Sequence, residues 1–481
     1  MSAPTLSPTP HTRSSSAPEW ATLLVLLAGT FMVTLDFFIV NVAVPDTQAD
    51  LHAGSAAMQW VVAGYSLAVA AGLITAGRLG DLYGRRRLYG IGMAVFTLAS
   101  VICAVAGGPG ALIAARIAQG AGMALLTPQV LGLISVVFSG ARRTRAFAAY
   151  GLTMGLAAVF GQLIGGVLIQ ADLFGLGWRT IFWINVPVGA LVLAVLTRLV
   201  PGSRGVGGTR LDLTGACLVC AALTTGILPL IQGREQGWPL WTWVSLTLSV
   251  VLIAVFAGYQ RRLAHRDGAP LVNPALFGER SFAIGTVIAL GYQMTMASFF
   301  LFLALYLQQG RQLSALGSGL LFLALGAPYL LTSLLSSRLT ARLGRQVVAV
   351  GAVLQAAGYL LVALIVHELD TAGPVLALVP AMLVVGAGMG LALVPLPGIV
   401  LASVTPEHAA AAGGVLATAQ QLGSALGVAL VGLVFYQQLG AHAGFAGAFA
   451  VSLLAMTVLC LLTAALVQLL PRRTGCDRRT R

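Results

Sequence analysis

Two side chains in this sequence could do chemistry where charge is costly. Asp36 lies in LDFFIVNVAVP (35–45), after an almost unbroken apolar run that begins at Ala21. Arg116 lies in RIAQGAG (116–122), inside a second apolar run. A charge near the middle of a membrane helix costs roughly 2.5–3.5 kcal/mol on insertion scales, so each needs a partner or a hydrated cavity. Counting residues from the outer ends of their runs, at 1.5 Å rise each, puts Asp36 roughly 12 Å deep and Arg116 roughly 9 Å deep. The pair therefore falls in one layer, within reach if the two helices adjoin. A nearby cation favours the carboxylate and desolvation favours the acid, so alternation between the two would let Asp36 carry a proton. That role expects Asp36 to meet a central vestibule. The competing reading is a static ion pair that fixes helix register.

The elements that position these residues follow from composition. The chain has 481 residues, 58% of them hydrophobic and 9% charged, with mean hydropathy +0.92. Soluble domains are nearer a quarter charged. Apolar runs of about twenty residues recur throughout, each long enough to cross a bilayer as a helix. The expected fold class is an all-α polytopic membrane protein with fourteen spans, at 21–44, 56–77, 89–107, 110–136, 146–170, 179–200, 212–232, 240–260, 281–308, 316–336, 346–367, 373–401, 410–436 and 445–470. Residues 1–20 read as a disordered cytoplasmic tail without a cleavable signal, and 471–481 as a basic cytoplasmic tail.

All 27 basic residues are arginine. They cluster between alternate spans: Arg85, Arg86 and Arg87; Arg142, Arg143 and Arg145; Arg204 and Arg210; Arg261, Arg262 and Arg266; Arg338, Arg342 and Arg345; and the C-terminal tail. The other set of loops holds only Arg179, Arg234 and Arg311 beside six acids. The positive-inside rule makes the Arg-rich set cytoplasmic, with both termini inside. This placement explains the pI of about 10.3 without nucleic acid as a partner.

An internal repeat supports the count. Arg78, Leu79, Gly84 and Arg85 recur as Arg338, Leu339, Gly344 and Arg345. Each set follows the second helix of a six-helix block if spans seven and eight are an insertion. The expected division is a bundle at 21–200, two additional helices at 201–265 and a second bundle at 266–470. Repeats of this kind build many secondary transporters, with the site near midplane between them.

Five motifs, in order, carry a family resemblance. GRLGDLYGRRR (77–87) resembles the signature loop of the major facilitator superfamily. LDFFIVNVAVP, RIAQGAG, GQLIGG (161–166) and WRTIFWINVPVG (178–189) resemble motifs of its fourteen-helix drug–proton antiporter branch. The resemblance implies two six-helix bundles with two extra helices between them. It also implies proton coupling at Asp36 and Arg116, and a cytoplasmic gating loop at Gly77, Asp81, Gly84, Arg85 and Arg86. Gly161, Gln162, Gly165 and Gly166 would form the hinge. Gln162 stands where the antiporter motif usually carries proline. Expected cavity residues are Phe37, Asn41, Tyr65, Gln119, Gln162, Gln293, Met294, Phe299, Tyr329 and Gln420, although all-apolar helices show no periodicity that would fix their inward face.

No Walker A loop, metal cluster or G-x-S-x-G nucleophile motif occurs, which argues against ATP drive and against an enzyme. Cys217 and Cys220 read as packed thiols rather than a redox pair. The resulting expectation is efflux of small amphipathic, neutral or monocationic compounds by a monomer in the bacterial plasma membrane, in contact with its lipids. No cofactor is expected, the proton gradient being the drive. Alternatives are a lipid, glycolipid or siderophore exporter, and a transporter-like sensor.

Overall fold

A computed structural model describes residues 19–202, 211–266, 270–402, 404–405, 409–441 and 443–471. Among these described residues fourteen helices are of membrane length: α1 (Glu19–Asp50), α2 (Ser55–Tyr83), α3 (Arg85–Ala104), α4 (Pro109–Val137), α5 (Gly140–Ala171), α6 (Gly177–Leu199), α7 (Leu213–Gln232), α8 (Leu240–His265), α9 (Arg280–Gly310), α10 (Ala315–Leu343), α11 (Gln346–Leu369), α12 (Val375–Leu401), α13 (Ala411–Gly440) and α14 (Gly444–Val467). No strand occurs among the described residues. Only helices and closed barrels satisfy their backbone polar groups within hydrocarbon, and these sequences take the first solution.

The ends differ from the sequence expectation by several residues. α1 runs past Pro45 to Asp50, because its flanking polar residues continue the helix beyond the apolar run. α9 closes in a π-helical turn at Tyr306–Gly310. Most of the N-terminal tail and nearly all of the C-terminal tail lie outside the described residues.

α1 to α6 pack as one group, with α4 against α2 and α3, and α1 against α5 and α6. α9 to α14 pack as another, with α11 against α12 and α14, and α9 against α13 and α14. The groups meet along α5 with α10, α2 with α13, and α1 with α9.

Close approach at the first of these contacts requires glycine. A Cβ on Gly166 would come within 2.5 Å of the Ala315 carbonyl oxygen, and one on Gly319 within 2.6 Å of the Gln162 carbonyl oxygen. On the face opposite the Arg-rich loops, Gln308 Nε2 donates to Val42 O at 2.9 Å and Gln309 Nε2 to Gln48 Oε1 at 3.0 Å. These bonds close that face between α1 and α9.

The α7–α8 hairpin leans on both groups, since α7 touches α2 and α13 while α8 packs on α7. Glu235, in its turn, caps α2: the carboxylate accepts from Ala56 N at 2.9 Å and from the Ser55 hydroxyl. Such a cap satisfies backbone N–H groups that the helix cannot pair itself. At the Arg-rich end Asp212 caps α7 through Gly215 N at 2.7 Å, and also accepts from Gln260 Nε2 at 2.6 Å and Leu271 N at 3.2 Å. Cys217 and Cys220 are exposed on α7, not packed as expected, because that face of the hairpin looks away from the protein.

Candidate functional site

The polar centre of the first bundle is built on five helices, α1, α2, α3, α4 and α6. Arg116 Nη1 donates to Asp36 Oδ2 at 2.5 Å, with the two side chains 1% and 0% exposed. Asp36 Oδ1 accepts from Asn185 Nδ2 at 2.8 Å and Gln119 Nε2 at 3.2 Å. Arg116 has further partners in Gln119 Oε1 at 2.7 Å and Val61 O at 3.1 Å, and lies 4.3 Å from the Tyr65 ring centroid. Ser100 Oγ accepts from Gln119 at 2.7 Å and from Asn185 at 3.3 Å. Burying two charges costs several kcal/mol each unless the geometry is good and the remaining donors and acceptors are satisfied. Here the amides of Gln119 and Asn185 satisfy them.

The structure thus brings together the two charges that the depth count placed in one layer. It does not open Asp36 to a central vestibule. All of the carboxylate's partners belong to the first bundle, and none of them lines the chamber between the bundles. The reason is helical geometry: Phe38, two residues on, occupies the interbundle side of α1 and meets the Phe300 ring at 5.2 Å. Residues two apart on a helix do not share a face.

The corresponding heart of the second bundle is neutral. Gln355 Nε2 meets Tyr359 Oη at 2.6 Å, and the Cys460 thiol lies 3.8 Å from Thr295 Oγ1. One bundle therefore carries a charged polar centre and the other an uncharged one.

Between the bundles lies an apolar chamber whose walls include Val159, Met296, Phe300, Phe322, Tyr329 and Met389. Phe300 and Phe322 stack at 5.5 Å. In this conformation the free space is about 20 Å³, room for roughly one water molecule. A drug-sized compound requires the chamber to widen.

The other expected residues fall into three places. Tyr65 and Gln119 belong to the ion-pair cluster, not to the chamber, and Phe37 packs beside Tyr65 with the ring centroids 6.1 Å apart and the planes tilted by 46°. Phe299 is turned into the second bundle, against Tyr359 at 4.8 Å. Gln293, Met294 and Gln420 are partly buried away from the chamber lining, and the backbone of Met294 abuts Gly427. Tyr329 alone of the expected set lines the chamber, while Asn41 and Gln162 are buried on the Phe38 carbonyl.

The loop motif has a local structure of its own. Gly84 adopts φ +94°, a value reserved largely for glycine, and so breaks α2 from α3. Asp81 Oδ1 accepts from Arg85 Nη2 at 3.0 Å, while Arg85 Nη1 donates to Gly132 O at 2.8 Å and Arg86 Nη1 to Val200 O at 3.0 Å. A Cβ on Gly77 would stand 3.8 Å from Pro128 Cβ, an ordinary van der Waals distance. The glycines of α5 serve contact on two sides: Gly161 and Gly165 admit Phe38, Ile39 and Val42 of α1, and Gly166 admits α10.

Ser100 and Asn185 were not expected. Asn185 is a polar residue within the motif at 178–189, and that is the one signal that could have found it. The chamber walls gave no signal, because Phe and Met in an apolar helix look like any other packing residue.

The model of the Major Facilitator Superfamily matches residues 26–292 and 282–475. The chain is 39% identical over 435 residues to the "Probable actinorhodin transporter" of Streptomyces coelicolor, covering 89% of this chain and 74% of that protein. It is 37% identical over 424 residues to "Puromycin resistance protein pur8" of Streptomyces alboniger, covering 86% and 82%. Among solved structures, an auto-inhibited POT family peptide transporter superposes with TM-score 0.70 at 14% identity, over 96% of this chain and 98% of that one. This last likeness concerns the fold alone.

Proposed function

The chain belongs to the Major Facilitator Superfamily and is a multi-pass membrane transporter, and from that premise we propose proton-coupled efflux of small amphipathic compounds by alternating access. The observation that carries the proposal is the buried Asp36–Arg116 pair, in which the cation keeps hydrogen-bond acceptors when the carboxylate is neutralised. If Asp36 takes up a proton, Arg116 keeps Gln119 Oε1, Val61 O and the face of Tyr65. These partners are neutral, so protonation still removes the counter-ion of a buried cation and favours a conformation that hydrates Arg116. The sealed carboxylate cannot exchange protons in the present conformation. Coupling therefore needs a second one, in which α1 parts from α4 or α6.

α1 is the natural link. One of its sides holds Asp36 and another holds Phe38, against the chamber aromatics. A shift of α1 that wets the carboxylate also moves a neighbour of the chamber. A proton falling through 100 mV supplies about 2.3 kcal/mol per charge, enough to drive modest accumulation.

The chamber walls are aromatic, aliphatic and thioether groups, which suit neutral or monocationic compounds with a planar apolar part. Two relatives named for an actinorhodin transporter and for puromycin resistance support a substrate of antibiotic or secondary-metabolite size. The Arg-rich face is placed in the cytoplasm of a bacterial plasma membrane, and Asp81 with Arg85 is assigned to gating there. One chain contains both bundles and the chamber, so a monomer suffices.

The test is reconstitution in liposomes with an imposed pH gradient and candidate drugs. Drug movement driven by the gradient supports the proposal. Movement that needs added ATP, or none under any gradient, contradicts it.

A further inference from the structure

One carbonyl beside the chamber has an unusual pair of donors. Asn41 Nδ2 on α1 and Gln162 Nε2 on α5 both donate to Phe38 O, at 3.1 and 3.0 Å. A carbonyl oxygen only accepts, so each amide must turn its nitrogen toward it and its oxygen elsewhere. Asn41 Oδ1 and Gln162 Oε1 are buried, and neither has a hydrogen-bond partner among the described residues. The Ser318 hydroxyl on α10 is in the same condition, and these three residues are 3%, 0% and 0% exposed. Ser318 adjoins Gly319, which packs on the Gln162 carbonyl.

Their position relative to the chamber follows from helix direction. Ala158 and Phe322 line the chamber, and Phe38 touches its Phe300. Asn41, Gln162 and Ser318 lie about one helical turn from Phe38, Ala158 and Phe322 respectively. In each case the step is away from the Arg-rich face, since α1 and α5 run from that face and α10 runs toward it. The three side chains therefore lie about one turn beyond the apolar chamber, toward the face opposite the Arg-rich loops.

A buried acceptor left unpaired is costly, and native structures keep few of them. Two amide oxygens and a hydroxyl just beyond an aromatic chamber are complementary to a hydrogen-bond donor on an apolar body. No carboxylate lines the chamber among the described residues to pair with a cationic donor, and an uncharged donor needs none. We infer that Asn41, Gln162 and Ser318 are the polar specificity element of the transport site, and that they take a neutral hydroxyl group carried on a planar aromatic substrate. The inference deepens the reading of the chamber as the substrate site and rests on it. Proline at position 162 could not supply this acceptor, so the departure from the resembling motif acquires a role.

The test compares two probes, 2-naphthol and 2-methoxynaphthalene, which differ in one hydroxyl hydrogen replaced by methyl. Binding to the purified full chain is measured by equilibrium dialysis. A site built to bond a hydroxyl discriminates strongly against an analogue that lacks it. For the wild type, 2-naphthol should bind at least tenfold more tightly. In Gln162→Met, of similar length but apolar, that preference should fall severalfold while the methyl ether binds as before. Ser318→Ala is the second variant, should Gln162→Met not fold, with the same expected direction. Equal affinity of the wild type for both probes, or an unchanged preference in the variants, overturns the inference. The second result is also the one expected if water alone satisfies these oxygens. Phe300→Ala separates the two levels: it should weaken both probes alike. If it weakens neither, the chamber reading itself fails.

Discussion

Asp36 Oδ2 and Arg116 Nη1 stand 2.5 Å apart, joining α1 to α4 inside the first bundle with both side chains buried. The bond ties one of the three helices that meet the second bundle to the helix that α2 and α3 pack upon. Any motion that exposes one charge must re-partner the other.

Removal of the cation alone should therefore be worse than removal of both charges. Arg116→Ala leaves a buried carboxylate without its counter-ion, a loss of about 3–5 kcal/mol in comparable pairs. Thermal unfolding of the purified protein should show a marked fall for Arg116→Ala and partial recovery in the double variant with Asp36→Asn. Equal destabilisation by both would mean that the pair adds nothing beyond packing.

The α5–α10 contact predicts a conformational bias. Gly166→Ala places a methyl group 2.5 Å from the Ala315 carbonyl oxygen, too close for the present packing. The face opposite the Arg-rich loops should open more often. A cysteine introduced at Ser318, buried here, should react faster with a water-soluble thiol reagent in the Gly166→Ala background. An unchanged rate would show that the contact does not hold this face closed.

Asp212 predicts an acid sensitivity at the start of the α7–α8 hairpin. Burial alone would raise its carboxyl, but bonds from Gln260, the Gly215 and Leu271 amides and Tyr259 outweigh it and hold the group below its ordinary value. A depressed folded-state value contributes stability above the unfolded value, near 3.9, that is lost as pH falls through the folded one. Asp212→Asn keeps a capping oxygen but loses the charge at the helix N-terminus, so it should lower the melting temperature at pH 7 by a loss of roughly 0.3–1 kcal/mol, and the difference should shrink below about pH 4. A deficit that stays constant down to pH 3 would contradict this linkage.

The sequence carried the helices and the ion pair for different reasons. Twenty apolar residues between arginines admit few structures, and a charge in such a run demands a partner, so Asp36 and Arg116 could be matched by depth. Which side of α1 holds Asp36 could not be read, because its neighbours are apolar all round. Tyr65 and Gln119 were assigned to the cavity for the same reason, although both turn inward to Arg116. Phe300, Phe322 and Met389 became visible only when two bundles far apart in sequence were set face to face. Gln162 stood out as a departure from a motif, but its meaning depended on the carbonyl of Phe38, which no pattern of side chains displays.

The most direct test of the central claim uses Asp36→Asn in liposomes and compares two modes of drug movement. Counterflow exchanges drug for drug at equal pH and needs the chamber alone. Gradient-driven accumulation also needs the proton. The account predicts that Asp36→Asn retains counterflow and loses at least tenfold in accumulation driven by the pH gradient. Accumulation equal to that of the wild type would contradict it.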